Sequence, residues 1–244
     1  MRNTVTRRQV LAGMLVVLLV GSGGCTVLSP GEVDQDALGE DVAYEWDTQA
    51  NGTITVGEDA YRAVYNISNR SEVQLFEFDR FNNERPFDPR GVKFRFPNGT
   101  VVGAEGMTVE KTRSFTVISL PATEGKFAYS GPKSGKHVRV PTVIPGSHEM
   151  ILPESARIQY PLFGRVLPRD YTWEMEGDVV HIHWDDVRTD QIIVRYYLVR
   201  DLWLFGGIVG IAFLVLIGGG VYLWRELQEV RERRGEVGWF SDDE

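Results

Sequence analysis

Two histidines one residue apart, His181 and His183, are the side chains in this chain best spaced to do chemistry. Residues 179–184 alternate with the two-residue period of a strand, so His181, His183 and Asp185 project to one face. Val180, Ile182 and Trp184 project to the other. Two imidazoles on one face can share a zinc ion, with His137, His148 or a carboxylate as a further ligand. The competing account is plainer: an amphipathic strand turns its polar side to water. A metal site needs at least one ligand from elsewhere in the fold, which spacing alone does not place.

Other chemistries drop out on residue type and spacing. Residues 131–137, GPKSGKH, hold their glycines too close for a phosphate loop, have His137 rather than Ser or Thr after Lys136 and open no helix. No G-x-S-x-G elbow, H-E-x-x-H helix or EF-hand loop occurs. Cys25 is the only cysteine, which excludes a disulfide within the chain and commits the thiol to the N-terminal segment. Glu58-Asp59 and Asp185-Asp186 are adjacent pairs, so on strands their carboxylates face opposite ways and read as solvated charge. No catalytic set emerges, and no cofactor is implied.

The elements that must position these residues read as strands. Runs rich in Val, Ile, Phe, Tyr and Thr occupy residues 61–67, 73–78, 92–96, 114–120, 126–129, 137–140, 149–152, 171–175, 179–184 and 192–198. Asn51-Gly52, Asn98-Gly99 and Gly177-Asp178 are hairpin-turn dipeptides, and three runs close at Leu-Pro (residues 120–121, 152–153 and 167–168). The expected fold is all-β, an antiparallel sandwich that is either one enlarged unit or two in tandem. Residues 41–130 and 137–201 would form its two parts, with the Gly/Pro/Lys loop between them as the boundary. Residues 25–40, polar and acidic, read as a linker.

Both ends of the chain address a membrane. Residues 1–24 have a basic start (Arg2, Arg7, Arg8), an apolar run over 10–20 and a small-residue close, the order of a signal peptide. Residues 6–11, TRRQVL, resemble a twin-arginine motif, and Gly24-Cys25 resembles a lipobox, with Ser22 where Leu is usual. Lipidation of Cys25 follows from that reading. Residues 202–224 hold no charge, and 23 residues of helix span roughly 34 Å, enough to cross a bilayer. Arg225, Arg231, Arg233 and Arg234 place the tail 225–244 in the cytoplasm and residues 26–201 outside the cell membrane. Gly206 and Gly210 form a G-x-x-x-G pair suited to self-association or a membrane partner. Four of the seven asparagines, Asn51, Asn66, Asn69 and Asn98, stand in glycosylation sequons, as an outward-facing domain allows.

Charge narrows the partners. The leader holds three basic residues and no acidic ones, and the tail holds four and seven; residues 26–201 keep 19 basic and 27 acidic. That acidic balance argues against nucleic acid or anionic headgroups as the main partner and is compatible with a high-salt source.

Several segments together resemble a known family: YEWD at 44–47, YRAVY at 61–65, FPNGT at 96–100, PLFG at 161–164, VHIHWD at 180–185 and RYYL at 195–198. They are similar to a haloarchaeal family of uncharacterised lipid-anchored proteins with one C-terminal span, classed as a domain of unknown function. The resemblance implies a halophilic source and no established activity. The first expectation is therefore a non-catalytic binding or accessory module of the cell envelope. The alternatives are a metal-binding module or metal-dependent enzyme using His181 and His183, and an accessory subunit of a membrane complex.

Overall fold

A computed structural model describes residues 33–79, 81 and 83–237. The leader 1–24, Cys25 and the end of the tail lie outside the described residues.

Among the described residues the first element is a four-residue helix, α1 (Gln35–Leu38). The strands of the first half are β1 (Gly52–Val56), β2 (Ala60–Ser68), β3 (Glu72–Phe78), β4 (Glu84–Pro86), β5 (Arg90–Arg95), β6 (Val101–Val102), β7 (Thr108–Lys111), β8 (Thr116–Ser119) and β9 (Glu124–Pro132). Those of the second half are β10 (His137–Pro141), β11 (Gly146–Ile151), β12 (Ala156–Arg157), β13 (Arg165–Leu167), β14 (Thr172–Glu176), β15 (Val179–Val187), β16 (Gln191–Arg195) and β17 (Tyr197–Leu198). One long helix, α2 (Val199–Val237), follows directly.

Eight strands form the main sheet in the order β14-β15-β11-β1-β2-β9-β5-β6. All its pairs are antiparallel except β1 with β11. Its inner face carries Ile54, Val56, Tyr61, Tyr65, Phe127, Tyr129, Met150, Ile182 and Trp184, all buried. A four-stranded sheet (β4-β3-β8-β7) and a three-stranded one (β10-β16-β13) contribute Val73, Leu75, Ile118, Val138, Val140 and Val194 to the same core. The molecule is mostly β, as the alternating pattern predicts: a sheet with one apolar face must bury it against another layer. The main sheet draws strands from both sides of the 131–136 loop, and Gly131 and Pro132 themselves belong to β9.

Three local expectations are corrected. Asn51-Gly52 is no hairpin turn: Gly52 begins β1 and pairs with Tyr65 and His148. A Cβ there would lie 2.7 Å from the His148 ring and 2.8 Å from Tyr65, so glycine serves close packing at this point. The run 192–198 divides at Tyr196, with β16 joining the three-stranded sheet and β17 pairing with β12. Residues 33–40 are not a free linker, since Leu38 is buried in the core and Glu40 pairs with Arg90 at 2.7 Å. The turns at Asn98-Gly99 and Gly177-Asp178 do form, with Gly99 and Gly177 at positive φ.

The membrane-length stretch of α2, Val199–Arg225, contains an 18-residue window with a mean hydropathy of 2.4 and is long enough to cross a membrane. From Trp203 to Arg225 its residues are exposed, and Gly206 and Gly210 face nothing within 4 Å. The chain enters this helix under constraint. Tyr197 and Leu198 pair with Arg157 and Ala156, Lys136 forms an ion pair with Asp201, and the Phe163 ring lies 5.9 Å from that of Phe205.

Candidate metal centre

The strand holding the two histidines alternates as its sequence dictates. Val180, Ile182 and Trp184 are buried inward, which leaves His181 and His183 on the outer face of the main sheet. Inward packing of the large Trp184, whose Nε1 donates to Pro168 O at 3.1 Å, fixes which side of the strand faces out. The alternation breaks at Asp185 and Asp186, both exposed: between the pairs Trp184–His148 and Val187–Gly146, two residues of β15 oppose the single Ser147 of β11. This bulge ends the regular polar row after His183, so Asp185 does not extend the pair as a strict strand period predicts.

Neighbouring strands complete the row. Glu149 of β11 is opposite His183, and Glu174 of β14 is opposite His181. His181 Nδ1 stands 2.8 Å from Glu149 Oε1, a diagonal cross-strand contact, and its Nε2 stands 3.6 Å from Glu176 Oε2. His183 Nε2 is cut off from solvent, 3.3 Å from Glu174 Oε1, and makes no hydrogen bond. The two imidazole rings are stacked, 6.2 Å apart and 18° from parallel. One donor atom each from Glu149, His181 and His183 falls within 4.8 Å of the other two.

Of the third ligands that sequence allows, only a carboxylate is in place. His148 precedes Glu149 on β11 and therefore points inward, where its Nδ1 donates to Gly146 O at 2.9 Å and its ring packs on Tyr65. Burial lowers its proton affinity, opposed by the Gly146 hydrogen bond. His137 lies on β10, in another sheet. Glu149 was missed as a named ligand because its place beside His181 depends on β11 joining β15, a pairing of strands about 30 residues apart in sequence.

Two imidazoles and one carboxylate are a donor set for borderline divalent ions, zinc above all, with a position left for water or a further carboxylate. Closing the three donors onto one ion brings them to about 3.4 Å apart, which takes small side-chain rotations on otherwise rigid strands. The bulk of each ligand's backbone is already held by sheet hydrogen bonds. Beside the cluster on the same face lies a hollow of about 400 Å³, floored by Thr53, Thr55 and Ile151 and bordered by Tyr44 and Arg62.

The candidate glycosylation sites differ in their surroundings. Asn69 and Asn98 are exposed at turns, and Asn51 is exposed beside β1. Asn66 is half-buried and its Nδ2 donates to Ala50 O at 2.7 Å, so a glycan there would cost that bond.

A family model described as a family of unknown function, DUF5803, matches residues 48–242. The match takes in the whole main sheet, the histidine pair and α2. No curated protein and no solved structure matches the chain.

Proposed function

The chain belongs to DUF5803, a family of unknown function, and we propose that it is a membrane-tethered binding module of the cell envelope that holds a zinc or copper ion at Glu149, His181 and His183. The observation that carries this reading is the convergence of three donors within 4.8 Å on one face of a sheet. The solvent-shielded Nε2 of His183 supports it: it lies 3.3 Å from Glu174 Oε1 but makes no hydrogen bond, and a buried polar atom left without one costs stability until something binds it.

The tether is α2, with Arg225 at the end of its candidate span supporting a cytoplasmic C-terminus and an outward β domain. Lipidation of Cys25 would add a second attachment on the outer side. Glycans at Asn69 and Asn98 would fit the exposed turns on an outward surface, and the acidic excess suits a salt-rich exterior of the haloarchaeal kind.

Untagged full-length protein in detergent, loaded with zinc and then desalted, tests the site by elemental analysis. One ion per chain is expected, with loss in a His181→Ala/His183→Ala variant that keeps its far-ultraviolet circular dichroism. Equal metal in both proteins, or none in either, would sink the proposal.

A metal-dependent enzyme at the same residues draws on the adjoining hollow, which could seat a small substrate beside an ion-bound water. Zinc-dependent hydrolysis of model esters or phosphoesters, lost in the same variant, would establish it. Zinc binding without turnover leaves the binding module.

A further inference from the structure

The strongest unassigned surface is the outer face of the three-stranded sheet at the end that leads into α2. Cross-strand register places Arg165 of β13 opposite Arg195 of β16, and Arg195 opposite His137 of β10. The three side chains thus form one row, neighbours about 5 Å apart. Val166, Val194 and Val138, the next positions along, are buried, so the basic row faces outward. Arg139 extends it two residues further along β10 and is exposed.

Like charges directly opposite each other on a sheet are destabilising. None of Arg139, Arg165 and Arg195 forms an ion pair among the described residues. Their repulsion is felt at His137, whose proton affinity is lowered by its burial, then by Arg139, Arg195 and Arg165 in turn. In a chain of net charge −8, an uncompensated basic row is a local departure that an anion would relieve.

Its position identifies the anion. The residue before the row on β10, Lys136, is paired with Asp201 of α2, and Arg195 Nη2 donates to Leu162 O at 3.4 Å. Leu162 sits at the tip of a tight turn closed by Phe163 N and Gly164 N on Tyr160 O. Phe163 packs on Phe205, two helical turns into α2, so this turn reaches the depth of the apolar helix. Leu162 and Tyr160 beside it are 77% and 57% exposed, an amphipathic pair suited to the headgroup boundary.

We propose that this side of the domain rests on the bilayer, with Tyr160 and Leu162 dipping into the interface and Arg165, Arg195 and His137 binding anionic lipid headgroups. The overall acidic charge does not oppose this. The field of distant carboxylates is screened over about 8 Å at 0.15 M ionic strength and over about 3 Å at 1 M, whereas each basic side chain in contact with an anionic surface contributes individually. The proposal rests on α2 being the membrane span, and the test below separates the two.

Full-length protein in nanodiscs of purely zwitterionic lipid, or with a third of the lipid anionic, is compared by backbone hydrogen exchange. Anionic lipid should slow exchange over 160–167 and 192–195 by about tenfold or more. An Arg165→Glu/Arg195→Glu variant should lose that difference while β2 and β9 stay protected. If that variant unfolds, Arg165→Gln/Arg195→Gln serves, with a reduced difference expected. Equal exchange in both lipids, with α2 protected, overturns the proposal and leaves the span intact. An unprotected α2 overturns both. The same protection from inorganic phosphate in zwitterionic discs would assign the row to free phosphate and overturn the lipid assignment.

Discussion

His181 Nδ1 and Glu149 Oε1 are 2.8 Å apart across the β11–β15 ladder, on strands whose register allows no other carboxylate so close to that nitrogen among the described residues. The contact fixes the ring of His181 and leaves its Nε2 and the shielded Nε2 of His183 turned toward Glu176 and Glu174. Removing the carboxylate therefore changes both the charge and the orientation of the site.

Glu149→Gln should weaken zinc binding by roughly 10–100-fold while retaining the fold, because a neutral amide loses the ionic bond but keeps the shape. Competition against a chromophoric chelator measures it. Unchanged affinity would place the ion away from Glu149.

The pH dependence has a defined sign at His137. Burial and the facing arginines hold its proton affinity below the ordinary value of 6.5. As pH falls through 6.5, the unfolded chain takes up a proton that the folded chain refuses, so stability declines on the acid side and is unaffected above it. Nuclear magnetic resonance of the ring should show its midpoint below 6.5 and moving up in Arg195→Gln. A midpoint indifferent to Arg195 would contradict the packed basic row.

Gly52→Ala should destabilise the protein by about 1–3 kcal/mol, the cost of overpacking a tight site, since its Cβ would fall 2.7 Å from His148. Chemical denaturation in detergent checks this. A neutral effect would mean that His148 and Tyr65 can move aside.

The union of domain and helix depends on the Lys136–Asp201 pair and the Phe163–Phe205 contact. Asp201→Ala combined with Phe163→Ala should loosen the domain relative to α2, seen as broadened inter-spin distances between labels on β9 and on α2. Identical distributions would show that the β12–β17 pairing alone sets the angle.

Much of this architecture is legible in local pattern. The polar-apolar alternation at 179–184 identifies the histidine face, and the apolar stretch 202–224 identifies the helix, because both signals need only neighbours in sequence. What escapes is set by non-local pairing. The parallel β1–β11 ladder brings Thr53 beside Glu149, and no spacing rule anticipates it. Asn51-Gly52 has turn composition, yet its glycine is demanded by a histidine almost a hundred residues away. Leu38 lies in a polar, acidic stretch, yet it is buried in the core and Val33 packs against the same cluster, contacts that outweigh the composition. The break at Tyr196 divides a continuous apolar run because its two halves serve different sheets.

The most direct test of the metal centre is X-ray absorption on zinc-loaded, untagged full-length protein. The account predicts a first shell near about 2.0–2.1 Å, with the multiple scattering of two imidazoles and one or two oxygens, and loss of the imidazole signal in His181→Ala/His183→Ala. An oxygen-only shell, or a spectrum that the double variant leaves unchanged, would contradict it.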